Sequence, residues 1–133
     1  MPQPNVILIG ASVRSFAQSA LRDGIRPVCV DMFCDSDLRM SLRKGGLKEA
    51  FWCRPVESFA DAAGAVSDVD PNVPAVVLGG FENHTTGFRH LSSQRTTLGS
   101  DGSTIEQLRN PQCLFPQLQA RGCWIPRFHV RGQ

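Results

Sequence analysis

Gly79-Gly80-Phe81-Glu82-Asn83-His84 sets two glycines in front of a carboxylate, an amide and an imidazole. Paired glycines let the backbone approach a bound molecule closely, and the three polar side chains supply acceptors, donors and a titratable ring. Glu82, Asn83 and His84 are therefore candidates for holding a small polar ligand. The same residues also suit a helix cap followed by a solvated histidine. A second cluster, Gly10-Ala11-Ser12-Val13-Arg14, lies near the start of the chain. Backbone N–H groups at a helix N-terminus attract a phosphate or carboxylate, with the Ser12 hydroxyl and the Arg14 guanidinium in reach. Asp31 follows Gly10 by 21 residues, the separation at which a dinucleotide-binding unit places the acid that holds a ribose hydroxyl. The G-x-G-x-x-G fingerprint is missing, because Ser12 and Ser15 occupy its second and third glycine positions. A nicotinamide-dependent reductase is thus the weakest of the readings these residues allow.

Other reactive side chains form no recognisable set. Cys29, Cys34, Cys53, Cys113 and Cys123 are odd in number, contain no C-x-x-C pair and do not combine with His84, His90 or His129 at zinc spacings. Reduced thiols without a disulfide framework or metal site are expected. Arg39, Arg43, Lys44 and Lys48 interleave with Asp35, Asp37 and Glu49, as on a solvated helix face. Phe51-Trp52 reads as packing. No G-x-S-x-G elbow is present, so no catalytic residue is assigned.

The elements that position these clusters follow from patterning. Asn5–Ile9 is a β-branched run fit for a strand buried on both faces, followed by a helix with Val13, Phe16, Ala17, Ala20 and Leu21 on one stripe. Ser12 is placed as its N-cap and Gly24 just beyond its end. Arg26–Asp31 is the second strand, and a basic helix runs from Asp35–Asp37 to Lys44. Ala50–Trp52 reads as a third strand, Glu57–Val66 as an amphipathic helix and Ala75–Leu78 as the fourth strand. Thr96–Leu98 is a possible edge strand. Ser103–Asn110 and Pro111–Gly122 read as two helices, and Trp124–Val130 as a terminal strand. Alternation of this kind predicts an α/β fold: an open, mainly parallel sheet of four or five strands with helices on both faces, Rossmann-like, plus a C-terminal helical connector. In such a sheet ligands bind outside the carboxyl ends of the strands, so Gly10–Arg14 and Gly79–His84 are expected to face one crevice.

The 133 residues, 41% hydrophobic and 20% charged, suit one globular α/β core over 1–100 with the connector over 101–133. A net charge of +2 announces no nucleic acid or acidic membrane. No apolar run is long enough to span a bilayer, and Met1-Pro2-Gln3-Pro4 lacks the basic start of a signal peptide, so a cytoplasmic location is expected.

Four pieces in order resemble the N-terminal, pre-ATP-grasp domain of ATP-grasp ligases. They are Asn5–Arg14, Arg26–Arg39, Gly79–Asn83, and Leu108–Pro111 followed by Leu114–Pro126. The resemblance implies the substrate side of an ATP-dependent carboxylate–amine ligase, with Gly10, Ser12, Arg14 and Glu82 contacting the acceptor. ATP and Mg²⁺ are implied only for a further domain beyond these residues, so the isolated chain is expected to be inactive and to carry no cofactor. The C-terminal connector is expected to meet an ATP-grasp domain or a second copy, since it would otherwise expose Phe115, Trp124, Ile125 and Phe128. The alternative is a free-standing Rossmann-like module that binds a small ligand or a partner.

Overall fold

The computed structural model describes residues 2–129 together with Arg131. Residues 1–102 and 103–133 form two compact units. In the first, β1 (Val6–Gly10), β2 (Pro27–Asp31), β3 (Cys53–Pro55), β4 (Ala75–Val77) and β5 (Thr97–Leu98) build an all-parallel sheet in the order β3-β2-β1-β4-β5. The expected Rossmann-like α/β architecture is observed. β1 is central and reads as a continuous apolar run because it is paired on both sides. Val6–Gly10 aligns with Pro27–Asp31, and Ile7–Ile9 with Ala75–Val77.

The chain winds outward from β1 through α1 (Arg14–Arg22) to β2 and through α2 (Ser36–Lys44) to β3. It then returns to β4 and continues outward through α4 (Thr85–Gln94) to β5, with a short helical turn, α3 (Glu49–Trp52), just before β3. Right-handed crossovers in opposite directions put α1 and α2 on one face of the sheet and α4 on the other. The reversal of winding falls between β1 and β4, which is where ligands enter open α/β sheets.

Three sequence expectations are corrected. Ala50–Trp52 is not a strand: Glu49–Trp52 makes a helical turn that seats Trp52 in the core, and the strand starts at Cys53. Glu57–Val66 is not one helix but two 3₁₀ turns, Phe59–Asp61 and Gly64–Val66. Ala62, Ala63 and Val66 are buried as the pattern demanded, but Gly64, which opens the second turn, would lie inside a continuous helix, where glycine costs about 1 kcal/mol. The stretch 123–129 carries no strand, and Val130, the last residue of the expected one, lies outside the described residues.

The irregular return from β3 to β4 is pinned by one buried cation. The Arg95 guanidinium, immediately after α4, donates from Nη1 to the carbonyls of Asp70 and Val73 at 3.0 and 2.9 Å. From Nη2 it reaches those of Val66 and Val69 at 3.0 and 3.2 Å. Four carbonyls of the return are thereby tied together, those of Val66 and Asp70 also accepting the N–H groups of Val69 and Val73, and Arg95 is 7% exposed. At the sheet edge Arg54 grips Asp68 with two bonds of 2.5 and 3.2 Å and lies over the Phe51 ring. This pairing holds the Asp68 carboxyl below its usual pKa, so its contribution is complete at neutral pH and is lost as pH falls through the folded value.

The second unit contains α5 (Gly102–Leu108), which begins at the boundary, and α6 (Pro111–Ala120). Asn110 caps α6 by accepting from the Gln112 N–H at 3.0 Å, and Phe115 meets Phe128 edge-on at 4.8 Å. Trp124 is almost fully exposed and Phe128 is exposed, whereas Phe115 and Ile125 are half-buried.

Replacing Arg95 with Met should cost about 3 kcal/mol, because it strands buried carbonyls, and Arg95→Lys should fall between the two. Urea unfolding at unchanged m-value measures both. An Arg95→Met variant as stable as the parent would show that water satisfies those carbonyls instead.

Candidate functional site

Asp31 ends β2 level with Gly10 at the end of β1, and its carboxylate reaches beneath the neighbouring loop. Oδ2 accepts the Val13 N–H at 2.6 Å, and Oδ1 accepts the N–H groups of Phe33 and Cys34, each at 2.7 Å. One side chain, 1% exposed, thus ties the β1–α1 loop to the β2–α2 loop. Ala11 ties the first loop twice more: its N–H donates to the Gly79 carbonyl at 3.0 Å, and its own carbonyl accepts from Met32 at 3.3 Å. The expected convergence of the two clusters on the carboxyl edge of the sheet is therefore direct. The loops after β1 and β4 are hydrogen-bonded to each other.

The glycines serve this packing. A Cβ on Gly10 would stand 2.9 Å from the Leu78 Cβ, so β1 and the end of β4 close up only with glycine there. Gly80 has φ +97°, and a Cβ on it would lie 3.2 Å from the Ala11 Cβ and 3.3 Å from the Phe59 ring. Phe59 packs on Phe81 at 4.9 Å, and Phe81 on Phe88 at 5.9 Å, giving the glycine loop an aromatic floor. Gly79 is exposed, with open space beside it.

Several of the polar candidates are used internally. Asp31 is aimed at backbone, not outward at a ribose hydroxyl. Ser12 is exposed and is not the N-cap of α1; Val13 holds that position and its N–H goes to Asp31. Arg14 bonds Asp35 at 3.1 Å and Asp37 at 3.2 Å, so two carboxylates already face its guanidinium. His84 is the N-cap of α4: its Nδ1 accepts the Gly87 N–H at 3.1 Å, which requires the ring proton on Nε2. Glu82 is half-buried and Asn83 exposed in the turn Phe81–Asn83. Phe33, which no sequence motif singled out, is 71% exposed just past β2. The rim is therefore Ser12, Phe33, Gly79, Glu82 and Asn83.

The larger hollows lie apart from this rim. One of about 660 Å³ is bordered by Val56, Glu57, Asp61 and His90, and one of about 590 Å³ by Val6, Leu8, Phe16, Ile25, Val76 and Leu98. Among the described residues no three His, Cys, Asp or Glu side chains are grouped to hold a metal ion, and no helix is long and apolar enough to cross a membrane.

Two substitutions separate internal from external roles. Asp31→Asn keeps one acceptor atom but turns an amide donor toward a backbone donor, and should cost about 2 kcal/mol. His84→Ala should lose about 1 kcal/mol of cap, whereas His84→Asn retains most of it. Thermal unfolding reads both effects. Equal stability of His84→Ala and the parent would show the imidazole is no cap.

Comparison of the chain with protein-family models, curated proteins and solved structures finds no match.

Proposed function

We propose that this chain is the substrate-side domain of an ATP-dependent carboxylate–amine ligase, and that it holds the amine-bearing acceptor at the carboxyl edge of β1 and β4. The observation that carries this reading is the Ala11 N–H bond to the Gly79 carbonyl, which joins the two segments that the ATP-grasp resemblance assigns to the acceptor. The local chemistry favours an amine over a phosphate. Two of the loop N–H groups that would cradle an anion, those of Ala11 and Val13, are already donated within the protein. Arg14 is matched by Asp35 and Asp37, so its charge is compensated before any ligand arrives. The same edge carries the exposed Ser12, Phe33 and Asn83 and the half-buried Glu82, residue types suited to an ammonium group carrying some apolar surface.

ATP with Mg²⁺ would supply activation of the carboxylate as an acyl phosphate. The donor set here does not fit that pair: the fingerprint glycines are missing, and among the described residues no three His, Cys, Asp or Glu side chains are grouped for a metal. The residues of this chain bind and orient the acceptor, and no phosphoryl step is assigned to them. The nicotinamide reading is disfavoured because the Asp31 carboxylate is spent on three backbone N–H groups.

A thermal-shift series on the chain with amino acids and simple amines, carboxylates, ATP with Mg²⁺, and NADH tests the proposal. An amine at a hundredfold excess over its Kd should stabilise by about 2.7 kcal/mol. Ser12→Ala should weaken that shift while leaving the ligand-free melting temperature within about 1 °C, as surface changes do. Saturable stabilisation by NADH or by ATP alone, with none by amines, would overturn it in favour of a nucleotide-binding module.

A further inference from the structure

One row of apolar side chains crosses the sheet and loses its cover on the way. Leu8 of β1 is the register partner of Val76 in β4, and Val76 is the partner of Leu98 in β5. Register partners on neighbouring strands share a face, so the three form one row. Exposure climbs along it from 3% at Leu8, through half-buried Val76, to 51% at Leu98. On the opposite face Ile7 and its partner Ala75 are both fully buried. All-parallel sheets are normally covered by helices on both faces, but here α1 reaches the row only with Phe16 and Ala20 at its border. The result is the hollow of about 590 Å³ lined by α1, β1, β4 and β5.

We propose that this face is a two-fold interface with a second copy of the chain. Two observations select that occupant. The first is that projection and recess lie on one patch: Phe16, 52% exposed, and the exposed Ile25 and Leu98 themselves border the hollow. A surface that carries its own complement is what an isologous contact needs, because each copy offers apolar side chains to the recess of the other. The second is charge. Asp23 borders the hollow, and the neighbouring Arg22 is held at its edge by a 3.4 Å bond to the hydroxyl of Ser19, another lining residue. A rim with both signs side by side does not repel its own copy, and Arg22 of each chain can pair with Asp23 of the other. A small ligand of single charge would meet one attracting and one opposing group.

An apolar centre with a polar rim is the usual anatomy of a protein interface. Twelve residues line the hollow, against roughly 20–30 on each side of a standard interface, so the dimer is weak, with a Kd above about 1 µM. Asn5 and Pro74 place the hollow toward the amino ends of β1 and β4, away from the carboxyl edge. The interface therefore stands or falls independently of the acceptor site.

Sedimentation equilibrium of the full chain from about 5 to 500 µM tests the proposal, with dithiothreitol present so that exposed Cys113 and Cys123 form no cross-link. The average mass should rise with concentration from that of one chain and level at that of two. Phe16→Lys and Leu98→Lys change half-exposed positions, so they should melt cooperatively and weaken association about tenfold or more. Trp124→Ala should leave association unchanged, because Trp124 does not border the hollow. Hydrogen exchange of the parent needs no variant: amides of Phe16–Ile25 should exchange more slowly at the high concentration than at the low one. A single-chain mass at every concentration, growth past two chains, association untouched by both lysine variants or lost in Trp124→Ala, or unchanged exchange in Phe16–Ile25 would overturn the proposal.

Discussion

A single desolvated carboxylate sets the geometry of the carboxyl edge. Removing a charge from water costs several kcal/mol, so a buried Asp31 persists only because three N–H groups replace its hydration. The arrangement is possible because β1 and β2 are parallel neighbours in matched register, which brings Asp31 level with Gly10. From there one oxygen caps the entry to α1 and the other closes the turn toward α2. The position of the Ser12 loop, the aim of Cys34 and the exposure of Phe33 all follow from that bracket.

A cation does the corresponding work on the far side of the sheet. The segment between β3 and β4 has only 3₁₀ turns, and Arg95 collects four of its carbonyls. Asp31 and Arg95 are the two buried charged residues of the described chain, and each is neutralised by backbone dipoles instead of by the other. Short strands of two to five residues cannot satisfy their own flanking loops, and the charged side chains supply what longer helices would.

Periodicity made the sheet legible in advance. β1, β2 and β4 are apolar runs bounded by glycine, aspartate or proline, and the turn glycines mark where each crossover begins. The meeting of Gly10–Arg14 with Gly79–His84 was legible too, since it follows from strand order and winding. What sequence spacing does not encode is the direction of a side chain. Asp31 stands where a ribose-binding acid would, yet points at Val13; His84 stands beside a glycine pair, yet caps α4. Arg95 gave no signal, because its partners are carbonyls that every residue carries. The β3 region was displaced by three residues because burying Trp52 favoured a helical turn over an earlier strand.

These internal uses reshape what a ligand would find. A glycine-rich loop at a helix start ordinarily offers bare N–H groups to an anion, and its affinity comes from backbone. Here Gly10 and Gly80 admit neighbouring protein atoms, and the N–H groups of Ala11 and Val13 are committed to Gly79 and Asp31. The loop is consequently stiff and poor in free backbone donors. The side chains at this edge are those of Ser12, Phe33, Glu82 and Asn83. Arg14 at the same edge is compensated by Asp35 and Asp37, and Phe33 is exposed. One inward-facing aspartate and two packed glycines thus turn the backbone groups of this edge toward the protein itself.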